Sequence, residues 1–145
     1  MADVHSKEVR SFNMSRIKNK DTKPEIFVRK FLHSKGLRYR LHDAKLPGKP
    51  DLIFPKFRTI LFIHGCFWHG HNKCKYYVVP KTRTEWWKEK INTNIVRDAK
   101  NIKSLTELGW QVKIVWECQL KPDSREKTLL SLLDEIKSSD LNEFY

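Results

Sequence analysis

The sequence predicts an α/β fold in which helices cover both faces of a small mixed sheet, the alternative being an α+β arrangement of the same elements. Three observations carry this. Short apolar runs occur at 52–54, 59–63 and 111–116, helical patterns precede, separate and follow them, and the order is helix, strand, strand, strand, long helix, strand, helix.

Residues 1–20 are polar and basic, through Lys7, Arg10, Arg16, Lys18 and Lys20, with Met14 and Ile17 as their main apolar members. They read as an N-terminal arm, solvated alone and able to order itself in a nucleic-acid groove, ahead of a single domain over 21–145. Asp21 or Thr22 can cap the first helix, Pro24 suits its first turn, and Gly36 ends it. Its inward face is assigned to Ile26, Phe27, Phe31 and Leu32. Tyr39 to His42 alternates as a strand. Leu46-Pro47-Gly48-Lys49-Pro50 is a turn that delivers Asp51 to the short strand Leu52-Ile53-Phe54. Thr59-Ile60-Leu61-Phe62-Ile63 is the most hydrophobic run and reads as a central strand leading into His64. Thr84 is expected to cap a long helix reaching about Leu108, with Trp87, Ile91, Ile95, Ile102 and Leu105 inward and Gly109 closing it. Gln111 to Trp116 alternates as a strand. Arg125 to Lys137 closes the chain as a helix with Leu129, Leu132, Leu133 and Ile136 inward.

Composition narrows the partners. The 145 residues suit one domain, and 29 Lys and Arg against 17 Asp and Glu give a formal charge of +12. Such a surface attracts polyanions, and the 17 aromatic residues (five Trp, eight Phe, four Tyr) among those charges suit base stacking, which favours nucleic acid. A membrane partner is disfavoured, since no apolar run has spanning length and no basic amphipathic helix with a wide apolar face stands out. The first residues have no signal-peptide pattern and three cysteines are an odd number, so reduced thiols or a metal site in the cytosol are expected.

The densest chemistry lies in Ile63–Cys74, which reads I-H-G-C-F-W-H-G-H-N-K-C. Cys66, His71 and Cys74 follow a C-x4-H-x2-C spacing, and Cys118, after another predicted strand, completes a Cys3His set suited to structural zinc. Such a closed site leaves no position for a reactive water. His64 and His69 are then left over. Asp51 at the mouth of one strand and His64 at the end of its expected neighbour make a hard-oxygen setting for Mg2+. The two imidazoles supply acid and base chemistry for phosphodiester hydrolysis, with Glu25 nearby. The adjacent Phe67 and Trp68, among polar neighbours, are expected to face a ligand.

The segments Asn13-Met14, Asp21-Thr22-x-x-Glu25, Leu46-Pro47-Gly48-Lys49-Pro50-Asp51, His64-Gly65-Cys66-Phe67-Trp68-His69 and Val115-Trp116-Glu117-Cys118 resemble, in order, the very-short-patch repair (Vsr) mismatch endonucleases. The likeness covers about residues 5–120, and its H-G-C-F-W-H segment is highly specific. The resemblance implies a restriction-endonuclease-like mixed sheet flanked by helices. It also implies Mg2+-dependent nicking of one DNA strand 5′ of the T in a T·G mismatch, the product of 5-methylcytosine deamination. Asp51 would be the Mg2+ ligand with the backbone carbonyl of Ile63; His64 and His69 would handle protons or the phosphate; Glu25 would position water or a histidine. Phe62 and His64 would stand where the wider fold places an acid and a lysine. Cys66, His71, Cys74 and Cys118 would hold structural zinc, in a loop one residue longer than the family pattern. Phe67, Trp68 and Trp87 would wedge into the bases from the major groove, Met14 and Ile17 would approach from the minor groove, and Lys90 and Asn94 would face the mismatched pair. The expected setting is a monomer in the bacterial cytoplasm, associated with the nucleoid, with general mismatch-repair factors as partners. Two other readings share these residues: a restriction-type nuclease of different specificity, and a non-catalytic zinc-containing DNA-binding module.

Overall fold

The computed structural model of the protein describes residues 22–139. The arm over residues 1–20, with Met14 and Ile17, and the candidate cap Asp21 lie outside them. Helix α1 spans Lys23–Ser34; Thr22 is its cap, with Oγ1 accepting from the Glu25 amide at 3.4 Å and Pro24 in the first turn. Strands follow at Arg40–Leu41 (β1), Leu52–Phe54 (β2) and Thr59–His64 (β3). The long helix α2 covers Thr84–Glu107, β4 covers Gln111–Trp116, and α3 covers Arg125–Lys137. Two 3₁₀ turns, Pro55–Phe57 and Glu117–Leu120, follow β2 and β4.

The sheet order is β1-β2-β3-β4, antiparallel between the first three strands and parallel between β3 and β4. The parallel pair needs a long crossover, and α2 supplies it. Alternation along the central strands divides the core. Leu52, Phe54, Leu61 and Val115 join α1 and α3 on one face, whereas Ile53, Ile60, Phe62, Val112 and Ile114 join Leu105 and Ile102 of α2 on the other. The expected mixed sheet with helices on both faces is therefore present.

Three details differ from expectation. The buried face of α1 is Glu25, Val28 and Leu32, while Phe27 lies exposed beneath the Arg125 guanidinium at 4.3 Å. The stripe thus runs one residue round from the predicted one and places a carboxylate inside. Thr84 is the first residue of α2 rather than its cap; Arg83 precedes it in a left-handed conformation, and the Thr84 hydroxyl turns back to the Pro80 and Lys81 carbonyls. Ile95, expected to point inward, is 40 % exposed, although Gly70 packs against it.

The sheet pairing decides where the chemistry collects. Antiparallel β2 and β3 put the residue before β2 beside the end of β3, and the parallel register His64↔Trp116 puts the end of β4 there too. Asp51, His64 and Glu117-Cys118 meet at this one sheet edge.

Candidate active site and metal cluster

Asp51 is fixed by the strand it faces: its Oδ2 accepts from the Ile63 amide at 2.7 Å. Burial raises its carboxyl from 3.8 to about 6, opposed by that amide bond and reinforced by the nearby Glu25 carboxylate. Glu25 is only 1 % exposed. Its Oε2 accepts from Arg29 Nη1 and its Oε1 pairs with His42 Nε2, both at 2.9 Å. One donor atom each from Glu25, His42 and Asp51 falls within a 4.8 Å cluster. Two crowded carboxylates, one inclined to keep a proton, fit a hard divalent cation that would replace that proton.

His64 and His69 stack face to face, 3.8 Å between centroids and 3° from parallel. His64 is buried, and its Nδ1 has no hydrogen-bond partner among the described residues. Burial lowers its pKa from 6.5 to about 4; the neighbouring His69 adds to this and Asp98 opposes it. His64 is therefore neutral near pH 7. His69 instead pairs through Nδ1 with Asp98 Oδ2 at 2.6 Å. A carboxylate accepts, so the Nδ1 hydrogen is fixed there and Nε2 remains for chemistry.

Glu25, Asp51, Ile63, His64, Trp68 and His69 all line one cavity of about 400 Å³. A second, of about 600 Å³, shares Asp51, Ile63, His64 and His69 and is otherwise walled by residues including Lys49, Arg97, Asp98 and Asn101. The four expected catalytic residues are thus brought together at the junction of two open clefts, one of them carrying basic side chains.

The expected zinc ligands also converge. Cys66, His71, Cys74 and Cys118 each place a donor within 4.8 Å of the others. His71 Nδ1 lies 3.4 Å from Cys118 Sγ, and the Cys118 amide donates to Cys66 Sγ at 3.4 Å. Burial pushes the Cys66 thiol up to about 12, a setting in which a bound cation would have to favour the thiolate. Three sulfurs and one imidazole fit zinc. Local geometry supports the cluster: the His71 amide closes a turn on the Cys66 carbonyl at 2.9 Å, and the His71 ring stacks on Trp116 at 4.0 Å. Gly70 has φ +60, and a Cβ there would lie 2.6 Å from Ile95 and 2.9 Å from Ile91, so only glycine lets this segment lie on α2.

Phe67, Trp68 and Trp87 form one aromatic cluster, with centroids 5.2 to 5.9 Å apart, and all three are half-buried. Lys90 is exposed on the same helix. Asn94 does not turn outward with it. It is buried, its Nδ2 donates to the Trp68 carbonyl at 2.8 Å and its Oδ1 accepts from Arg97 at 3.0 Å, so both ends of the amide are used inside.

Asp98, His42 and Arg29 were not singled out from the sequence. The signal for Asp98 was present: Ile91, Asn94 and Asp98 share one helical stripe, which makes Asp98 an acid on an inward face. Glu25 occupies the same kind of position with Val28 and Leu32.

A carboxylate pair that fits a hard cation, a neutral histidine stacked on an aspartate-anchored one, and a thiol cluster compatible with zinc stand at the same sheet edge, a set compatible with divalent-metal phosphodiester chemistry. Comparison with known proteins agrees. The family described as DNA mismatch endonuclease Vsr matches residues 2–75. The chain is 48 % identical over 144 residues to the DNA mismatch endonuclease Vsr of Escherichia coli (strain K12), covering 99 % of this chain and 88 % of that one. It is 47 % identical over 141 residues to the type II nicking enzyme V.NmeAIP of Neisseria meningitidis, covering 96 % and 99 %. With V.XorIIP of Xanthomonas oryzae pv. oryzae it shares 44 % over 135 residues, 92 % of this chain and 98 % of that one. The chain belongs to the Vsr family.

Proposed function

We propose that this protein is a mismatch-specific DNA endonuclease that nicks one strand 5′ of the T in a T·G mismatch and so begins very-short-patch repair. The observation that carries the reading is the shared cavity in which Glu25, Asp51, His64 and His69 meet beside Trp68. Family membership and the names of the relatives, a mismatch endonuclease and nicking enzymes, support it.

The catalytic cation of this reading is Mg2+, held by Asp51 and the Ile63 carbonyl; when bound it polarises the scissile phosphate and supports a water nucleophile. The protein's own groups do the rest. His69, oriented by Asp98, presents Nε2 to the phosphate or the attacking water and moves the proton. His64, neutral near pH 7, donates or accepts a hydrogen bond without adding positive charge beside His69. Glu25 holds a water of the site against Asp51.

Zinc at Cys66, His71, Cys74 and Cys118 is structural: it pins the segment that carries His69 and the aromatic cluster. Phe67, Trp68 and Trp87 wedge beside the mismatch, where a poorly stacked wobble pair opens more cheaply than a matched step. Lys90 faces the opened bases. Asn94 reaches a base only by releasing the Trp68 carbonyl, which couples base reading to movement of the wedge. The arm over residues 1–20, with Met14 and Ile17, approaches from the minor groove, and residues 21–145 act as one monomeric endonuclease domain in the cytoplasm, where general mismatch-repair factors are candidate partners. Among the described residues no helix is long and apolar enough to cross a membrane.

The test is a nicking assay on T·G, T·A and C·G duplexes, with Mg2+ and with EDTA. Mg2+-dependent cleavage of one strand of the T·G duplex alone is expected. Cleavage of matched duplexes would favour the restriction-type reading, and binding without cleavage the non-catalytic module.

A further inference from the structure

His42 stands outside every role assigned so far, yet it touches both carboxylates' supports. It follows β1 in a left-handed conformation, φ 47°, where histidine is better tolerated than β-branched residues. Its amide donates to the Asp51 carbonyl at 3.3 Å, and its Nε2 meets Glu25 Oε1 at 2.9 Å. One residue thus ties the backbone of Asp51 to the side chain of Glu25. Register reinforces the tie, because Leu41 pairs with Leu52 and His42 is carried to the mouth of β2 beside Asp51. Glu25 comes from α1, an element outside the sheet, and it meets the Asp51 carboxyl directly as well as through this link.

We infer that His42 is a positioning residue of the nicking reaction: its Nε2–H donates to Glu25 and holds that carboxylate at the distance from Asp51 that a divalent cation and its waters require. The inference rests on the nuclease reading for its catalytic consequence, though its structural part concerns cation binding alone. Arg29 grips the other Glu25 oxygen from the same helix, at 2.9 Å. An i, i+4 partner fixes the side chain relative to α1; His42 adds a tie to the sheet beside the direct meeting of Glu25 with Asp51. Groups that orient metal ligands in this way are typically worth about 10- to 100-fold in affinity or activity.

The experiment uses the zinc-replete full chain as parent, His42→Ala and His42→Gln, with three readouts: Mn2+ binding to the DNA-free protein by electron paramagnetic resonance, single-turnover nicking of a T·G duplex against Mg2+ concentration, and thermal melting. His42→Ala is expected to weaken Mn2+ binding and raise the half-saturating Mg2+ by about 10-fold or more, with affinity for the duplex in EDTA unchanged. Gln carries a donor of similar reach and is expected to restore both to within about threefold of the parent by the same hydrogen-bond logic. In a Glu25→Ala background, His42→Ala should change Mn2+ binding no further, because its partner is gone. Parent-like Mn2+ binding in folded His42→Ala overturns the inference, as does equal loss in the Ala and Gln variants, which points to packing rather than hydrogen-bond donation. A parent that fails to nick T·G duplexes overturns the nuclease reading instead, and the Mn2+ titration still decides the role of His42.

Discussion

Two of the donor clusters among the described residues, the carboxylate cluster of Glu25, His42 and Asp51 and the thiol cluster of Cys66, His71, Cys74 and Cys118, are built by opposite means. The carboxylate cluster takes its members from regular structure or from positions tied to it: Glu25 lies in α1, Asp51 precedes β2 and accepts from β3, and His42 follows β1 and bonds across to Glu25. The thiol cluster takes three of its four members from residues 65–83, a stretch with no helix or strand. An irregular run of that length inside a compact domain needs something to hold it. A preformed oxygen site could bind and release a hydrated cation without moving the fold, whereas under the zinc reading proposed above the sulfur site would brace its segment. On the proposed reading, turnover belongs to the first cluster and architecture to the second.

The largest effect expected from breaking the first cluster is that of Asp51→Asn. Lewis-acid stabilisation is worth several kcal/mol, so nicking should fall on the order of 10³-fold or more. Because the variant removes a buried charge, the cation-free protein should melt no lower than the parent above pH 6. Parent-like nicking would displace the cation from Asp51, and a large drop in melting temperature would make Asp51 a structural residue.

Breaking the second cluster should do the reverse. Removing zinc with a strong chelator, or substituting Cys118→Ser, is expected to lower the melting temperature by about 10 °C or more, several kcal/mol at roughly 3 °C per kcal/mol. Far-ultraviolet circular dichroism should hardly change, since the cluster contains little regular structure. T·G discrimination should vanish with the fold of the aromatic segment. A chelated protein that keeps both its melting point and its discrimination would show that packing of Gly70 on α2 suffices without metal.

Trp68→Ala is the next smaller step. Loss of one stacking surface is worth about 1–3 kcal/mol, so affinity for the T·G duplex should drop by that amount while affinity for T·A changes less. Equal losses on both duplexes would reassign Trp68 to the protein core, a role its half-burial against Phe67 and Trp87 also permits.

The unequal construction of the two clusters explains what was legible beforehand. Ligands close together in sequence, as in Cys66-x4-His71-x2-Cys74, show through spacing, and the strand runs at 52–54 and 111–116 show through apolar content, so the sheet and the convergence of the thiol–imidazole cluster were readable. Contacts made by one residue to another element were not. Nothing in the spacing of His42 and Glu25, or of His69 and Asp98, says that they meet; the fold brings them to 2.9 and 2.6 Å. What the sequence did contain was polar residues on two of the three inward helical stripes, Glu25 with Val28 and Leu32, and Asn94 and Asp98 with Ile91. An acid there costs stability unless a partner answers it, which makes such a position a readable sign of function. Assigning the α1 stripe to Phe27 hid this sign.

The smallest predicted effect is on pH, and it separates the two roles within the oxygen site. Asp51 titrates near pH 6 and must lose its proton to bind a cation, so at subsaturating Mg2+ nicking should fall by up to about tenfold per pH unit below 6. Saturating Mg2+ should shift that limb to lower pH. Stability of the cation-free protein responds differently. Because the folded pKa of Asp51 is raised, the native state holds more protons between about 3.8 and 6, so its contribution is present at low pH and is lost as pH rises through that window. His64 is shifted from 6.5 down to about 4, so its contribution is present above 6.5 and lost as pH falls toward 4. The windows overlap with opposite slopes, each at most about 1.4 kcal/mol per pH unit, and the parent should show a nearly flat melting temperature from pH 4 to 6. Asp51→Asn should expose the His64 slope, with stability rising from pH 4 to 6.5. His64→Asn should expose the Asp51 slope, with stability falling from pH 4 to 6. If both variants remain flat, neither group is perturbed in the folded protein, and the crowding of Glu25 against Asp51 is relieved by solvent rather than reserved for a cation.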